Sequence, residues 1–404
     1  MVKRTPKSAL AGAEEPSSWL IATFAVATGA LVANLYYAQP LLAQIGPEIG
    51  ISPELAGAIV SATQIGYGAG LFFLVSLSDL VENKKLVFVT LAGTILGLIG
   101  VATAASVWMF LVSYFVVGVC STAAQIIIPF AAHLVPERRR GRVVGNIMAA
   151  LLTGIMLARP VALFVAGYLG WRAVFWISAA LMILIGLALA RIMPRHRPRP
   201  GMHYGQILTS MIVQLKTRRV LRYRAAYQGL MFAAFNLFWT AAPLMLAGRF
   251  GLGANAIALF ALAGAGGALC APVAGHIADR GFTLSATIGA MLTLSLSFFA
   301  TGWAVAAGAL LVLAVLAVLL DAAVQVNQVV TQRIVFTLSS EMRGRLNAIY
   351  MTLVFVCGAG GSVLGTITYQ WGGWRATALA GGLIGVLLLL LFAFEQAGLR
   401  AKTR

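Results

Sequence analysis

Residues 137–172 read ERRRGRVVGNIMAALLTGIMLARPVALFVAGYLGWR. Four arginines fall in the first six positions, an apolar run long enough to cross a bilayer follows, and the run stops at Gly170-Trp171-Arg172. A hydrocarbon core about 30 Å thick takes roughly 20 helical residues, so the stretch is one membrane span with its basic end inside. The pattern returns later in the chain. Arg140-Gly141-Arg142 is answered by Arg343-Gly344-Arg345 and Gly170-Trp171-Arg172 by Gly373-Trp374-Arg375; 343 minus 140 and 373 minus 170 give the same offset, 203. Two further landmarks lie within three positions of that offset. Asn34-Leu35-Tyr36-Tyr37 ahead of Pro40-Leu41 pairs with Asn236-Leu237-Phe238-Trp239 ahead of Pro243-Leu244, and Ser78-Asp79 pairs with Ala278-Asp279. Four matches in the same order make an internal repeat.

Outward from that span, the whole chain has the same character. Of 404 residues 60% are hydrophobic and only 10% charged, with a mean hydropathy of +0.92, more apolar surface than a soluble domain can hide. Apolar runs at about 18–41, 55–77, 85–105, 108–134, 143–167, 171–192, 225–247, 254–278, 283–304, 307–332, 346–369 and 374–394 each fit one helical crossing. The expected fold is an all-α membrane protein, twelve transmembrane helices in two six-helix pseudo-symmetric bundles. Residues 1–17 form a cytoplasmic tail, 18–192 the N-terminal bundle, 193–224 a basic cytoplasmic linker, 225–394 the C-terminal bundle and 395–404 a second cytoplasmic tail. Within the linker, the apolar stretch 207–215 predicts a short surface helix. The first apolar run is too long for a signal-peptide core and reads as an uncleaved span.

The formal net charge of +18 invites a nucleic-acid reading until its distribution is drawn. With the N-terminus inside, 25 of the 29 basic residues fall on cytoplasmic segments; Arg172, Arg249 and Arg375 face outward and Arg159 lies within a span. That asymmetry orients a membrane protein with both termini cytoplasmic, and the expected partners are the lipid bilayer and small molecules, with no nucleic acid. Cys120, Cys270 and Cys357 stand singly in three apolar runs and read as packing residues, neither disulfides nor metal ligands. His133, His196, His203 and His276 are scattered through cytoplasmic or interfacial regions. There is no phosphate-binding loop, metal cluster or nucleophile constellation, so neither an enzyme nor a resident cofactor is expected.

Two six-span halves of like orientation, joined by a basic cytoplasmic loop, resemble the parallel-repeat arrangement of the major facilitator superfamily. Gly275-His276-Ile277-Ala278-Asp279-Arg280-Gly281 is similar to the loop signature of that superfamily; the first-half copy at 75–85 keeps Asp79 and the trailing Lys84 and Lys85 without the glycines. Gly145, Gly154, Ala158, Arg159 and Pro160 resemble the glycine pattern of its proton antiporters, with Arg159 where the pattern has proline, and Tyr114 stands where that group carries an arginine. The resemblance extends to bacterial drug antiporters and predicted sugar efflux permeases. It implies a secondary transporter of the bacterial inner membrane, a monomer working by alternating access, exporting drugs or sugars against protons. The alternatives are an uptake permease, proton-coupled or facilitated, and a non-transporting receptor on the same fold. It also implies a cytoplasmic gate at Asp79, Gly275, Asp279, Arg280 and Gly281, and a cavity lined by the first, fourth, seventh and tenth helices.

A charge near mid-bilayer costs about 2.5–3.5 kcal/mol on insertion scales, so an ionisable group inside a span is a functional candidate. Asp321, near the middle of the tenth span, is too short to reach either interface and is the candidate proton-coupling residue. Arg159, in the outer part of the fifth, is a cavity candidate, with snorkelling toward the outer face as its alternative. The other polar side chains within spans would be unsatisfied against lipid: Asn34, Tyr36, Tyr37, Gln39, Gln64, Tyr67, Gln125, Asn236, Trp239, Asn327 and Gln328 complete the substrate-cavity candidates. Small residues four apart, Gly66 and Gly70, Gly267, Ala271 and Gly275, and Gly361 and Gly365, fit either moving helix crossings or static packing.

Overall fold

The computed structural model describes residues 18–195, 203–270, 280, 282–339 and 342–400, and every described regular element is helical. Before the linker lie α1 (Ser18–Ala33), α2 (Leu42–Ile49), α3 (Gly57–Leu77), α4 (Asn83–Ala102), α5 (Val107–Ser121), α6 (Ala123–Leu134), α7 (Glu137–Leu169) and α8 (Trp171–Ile192). The linker contributes α9 (Tyr204–Thr217); beyond it come α10 (Arg219–Phe250), α11 (Ala254–Ala265), α12 (Thr283–Ala306), α13 (Leu310–Thr337) and α14 (Arg343–Arg400). Nine described helical stretches are long and apolar enough to cross a membrane.

The repeat seen in the sequence is physical. Gly170 and Gly373, each opening a Gly-Trp-Arg corner, have φ of +80° and +60°, a conformation that costs glycine nothing and other residues strain. At Gly372 and Gly373 the long helix α14 breaks into two. Arg140 and Arg343 make equivalent bonds too: each donates its Nε–H, at 3.1 Å, to a carbonyl at the end of the preceding helix, Ala132 and Phe336 respectively. A guanidinium there offsets the negative end of the helix dipole.

Two apolar runs differ from one straight crossing each. The first stops at Ala33, passes through irregular backbone, and resumes as a helical turn at Gln39–Leu41 that leads into α2. The freed backbone is satisfied from another helix: the Tyr114 hydroxyl accepts from the Ala38 N–H at 3.2 Å and donates to the Asn34 carbonyl at 3.0 Å. Irregular backbone survives at membrane depth only where protein buries it in this way. The counterpart segment 236–244 keeps its helix through Pro243, so here the two halves are not equivalent. The fourth run divides at Thr122, whose hydroxyl bonds back to the Val119 carbonyl at 2.7 Å, a contact that bends helices.

Close glycine contacts divide into two kinds. A Cβ on Gly66 or Gly70 would lie 2.3 Å from a carbonyl of α5, and one on Gly361 or Gly365 would lie 2.0 or 2.7 Å from a carbonyl of α10. Those pairs join helices of the same half, so they are static packing within a bundle. Between the halves, α3 and the first part of α14 run together. Gly57 N–H donates to Thr366 Oγ1 (3.3 Å), Ser61 Oγ to Ala359 O (2.6 Å) and Thr352 Oγ1 to Gly68 O (3.1 Å). The seam ends in an ion pair of Arg345 with Asp79 at 3.5 Å.

The linker helix begins earlier than residues 207–215 suggest, because His203 N–H donates to Gln206 Oε1 across the first turn. It buries Ile207 and Met211, and Met211 Sδ meets Ser76 Oγ at 3.2 Å. At the other end, residues 395–400 are not a free tail. They continue α14, and Glu395 is buried there, accepting from the Tyr227 hydroxyl at 2.7 Å.

Candidate functional site

At the centre of the molecule, polar side chains from both halves converge where apolar helices leave them no water. Unwinding after Ala33 places Gln39 beside α10, and its amide nitrogen donates to Thr240 Oγ1 (3.1 Å) and Asn236 Oδ1 (3.4 Å). Asn236 Oδ1 also accepts from Gln64 on α3 at 3.5 Å. From α7, Arg159 donates its Nε–H to Gln39 Oε1 at 3.0 Å. Gln39 therefore links the Arg159 guanidinium of one half to the amide and hydroxyl of the other.

Arg159 is 3% exposed and does not snorkel to the outer face. Three rings surround its guanidinium: Trp239 at 4.7 Å, Phe235 at 5.0 Å and Tyr36 at 5.2 Å from the guanidinium carbon to the ring centroids. Aromatic faces carry negative potential and replace part of the hydration a buried cation loses. The Trp239 indole also donates its N–H to Asp321 Oδ1 at 2.8 Å. One ring thus meets the cation on its face and the carboxylate at its edge, each where the quadrupole favours it. Asp321 is buried, and the two charges are close enough to interact without an ion pair within 4 Å. Room for this arrangement comes from α11 and the turn after it. A Cβ on Gly264 would lie 2.4 Å from the indole, and one on Gly267 would lie 2.6 Å from Asp321 Cβ.

The structure thus brings together Tyr36, Gln39, Gln64, Arg159, Asn236, Trp239 and Asp321. Asn34 borders them, accepting from Ser178 Oγ at 2.5 Å, and Tyr37 is buried beside the same serine. The remaining cavity candidates lie in other clusters. Gln125 donates to the Tyr67 hydroxyl at 3.2 Å, and Tyr67 packs against Phe355 across the halves at 4.5 Å between centroids. Asn327 donates to Gln228 at 2.7 Å, while Gln328 meets Tyr350 and Met351. Of the gate residues, Asp79 holds Arg345, Arg280 is an exposed turn residue, and Gly275, Asp279 and Gly281 lie outside the described residues. Several participants have no place among the sequence candidates, Phe235, Thr240, Gln228 and Gly264 among them. Thr240 and Gln228 are polar residues inside a span and carry the same signal as the others; Phe235 and Gly264 carry none.

Comparison with known proteins gives one consistent outcome. A model of the Major Facilitator Superfamily matches residues 20–326. The chain is similar to an uncharacterized transporter, YgaY, of Escherichia coli O157:H7, 39% identical over 379 residues, covering 94% of this chain and 96% of that protein. It is 30% identical over 365 residues to a probable transporter, SCO4007, of Streptomyces coelicolor, covering 89% of this chain and 83% of that one. Among solved structures, the human organic anion transporter MFSD10 superposes with a TM-score of 0.68 at 15% identity, over 94% of this chain and 100% of that one, a likeness of fold.

Proposed function

The chain belongs to the Major Facilitator Superfamily, a family of membrane transporters for small molecules and not of enzymes, and from that membership we propose that it is a proton-coupled secondary transporter whose proton site is Asp321. The observation that carries this reading is the position of Asp321: a buried carboxylate bonded to Trp239 of α10, facing the charge of Arg159 from the other half. A site where both halves meet is remade each time they rock, so it can load a proton on one side and release it on the other. The twelve-helix count fits: the nine long stretches, α1 and α11, which are shorter, and a second crossing within α14. Both termini are cytoplasmic, in a bacterial inner membrane, and the unit is a monomer of two bundles, residues 18–192 and 225–394, on either side of the linker.

Export of drugs or sugars in exchange for protons is supported by the glycine pattern of α7. Within that pattern Gly154 packs against α1 of the same half, where a Cβ would lie 2.2 Å from Gly29 O, so the contact itself is static packing and the support is the pattern. A second reading, movement of substrate together with a proton, is favoured by Arg159 standing beside the proton site. The experiment uses the full chain in proteoliposomes with an imposed proton gradient and a compound panel. Asp321→Asn resembles the protonated acid at nearly constant volume, so gradient-driven transport should be lost while exchange of substrate across the membrane persists. A variant that still concentrates substrate with the parental pH profile would place the coupling site elsewhere.

A further inference from the structure

We propose that the substrate is a small aromatic carboxylate whose anionic group binds the free edge of Arg159 inside the three-ring frame. The inference rests on the second transporter reading above, movement of substrate together with a proton, and gives its substrate a chemical class. Arg159 commits Nε to Gln39, while Nη2, fully buried, has no hydrogen-bond partner among the described residues. A guanidinium presents its donors in a planar fork that matches a carboxylate. Asp321 does not fill that role: its Oδ1 takes the indole N–H, and the indole stands against the guanidinium by its face. The rings of Tyr36, Phe235 and Trp239 around the fork offer flat apolar surface to a planar body attached to the anion.

This class of substrate decides which way the proton moves. Among the described residues Arg159 is the charged group facing Asp321; α10 adds the neutral indole, α11 and α12 contain no charged residue, and those of α10 and α14 lie towards their ends and, in α14, at its glycine corner. With Asp321 ionised, the two residues together are neutral. An anion on Arg159 leaves one uncompensated negative charge in a low-dielectric site, and a proton on Asp321 removes it. Anion and proton therefore bind cooperatively, each strengthening the other by the same factor, and they travel in the same direction as an electroneutral load.

The test titrates purified full-length protein with benzoate and with benzamide, its uncharged counterpart of the same shape, following tryptophan fluorescence between pH 6 and 8, where benzoate stays ionised. Benzoate should bind and benzamide bind at least about ten-fold more weakly, the cost of a charge-assisted bond lost. Benzoate binding should tighten as the pH falls. Asp321→Asn should keep benzoate binding and lose its pH dependence; Arg159→Lys should weaken it and Arg159→Gln abolish it, each judged only on monodisperse protein. Equal binding of the two probes, no benzoate binding, or affinity falling with the pH overturns the inference, and the parent protein alone suffices for all three. If benzoate fails while Asp321-dependent proton-linked transport of another compound persists, the transporter reading stands and only the substrate class is wrong.

Discussion

Arg159 is buried without a carboxylate within 4 Å among the described residues, held by one amide oxygen and three rings. Desolvated cation–π contacts are worth about 2 kcal/mol or more each, comparable with the insertion cost of the charge, which explains how the side chain stays inside. Lysine keeps the charge and loses the fork, so Arg159→Lys should insert and fold normally yet lose transport at least about ten-fold, measured at matched expression. Parental activity in Arg159→Ala would reduce the residue to a structural one. Arg159 and Asp321 were legible because charge is scarce in these spans. Which way they face was not, since helices apolar on all sides carry no periodicity that separates a lipid face from an interior one. Phe235 illustrates the limit: as a phenylalanine in an apolar helix it is indistinguishable in sequence from an exposed one such as Phe164 of α7.

Among elements, the helix α3 carries both kinds of glycine contact and so separates stability from conformational balance. Gly361 of α14 abuts Ala233 O within one half, and Gly57 of α3 would bring a Cβ to 2.3 Å from Ser362 O between the halves. Gly361→Ala forces two helices of one bundle apart and should lower the thermal midpoint of the purified protein, on the scale of overpacking, about 1–3 kcal/mol. Gly57→Ala obstructs only the closed seam. It should leave the midpoint near the parent and increase labelling of a cysteine introduced at Ser61, by opening the outer end. Equal loss of stability in both would mean the seam does not open there. Four-residue spacing announced the glycines but not their partners, and the break after Ala33 was hidden for a related reason. Residues 34–41 follow the apolar run with no glycine to mark the break, and what satisfies their freed backbone is the hydroxyl of Tyr114, 80 positions away from Asn34.

At the scale of the molecule, the described seam between α3 and α14 is closed from Gly57 to the Asp79–Arg345 pair, with the charged cluster enclosed between the halves. An ion pair as exposed as that one contributes under about 1 kcal/mol, so it biases the balance of states by no more than about five-fold and does not lock it. Asp79→Arg should therefore slow turnover a few-fold, and combining it with Arg345→Asp should restore much of the rate; a double variant slower than either single one would remove the pair from the gate. The two-half architecture was readable at this scale because the Gly-Trp-Arg and Arg-Gly-Arg landmarks each have a backbone duty, a positive φ at Gly170 and Gly373 and a bond to helix-terminal carbonyls from Arg140 and Arg343. The closed state was not, because one sequence serves every state of the cycle. The central claim, that Asp321 moves a proton whenever substrate crosses, is tested most directly by a pH-sensitive dye sealed inside proteoliposomes. Adding a transported compound to the parent should change the internal pH, and the Asp321→Asn protein should give no change while still exchanging labelled substrate; a proton signal of parental size from that variant would contradict the account.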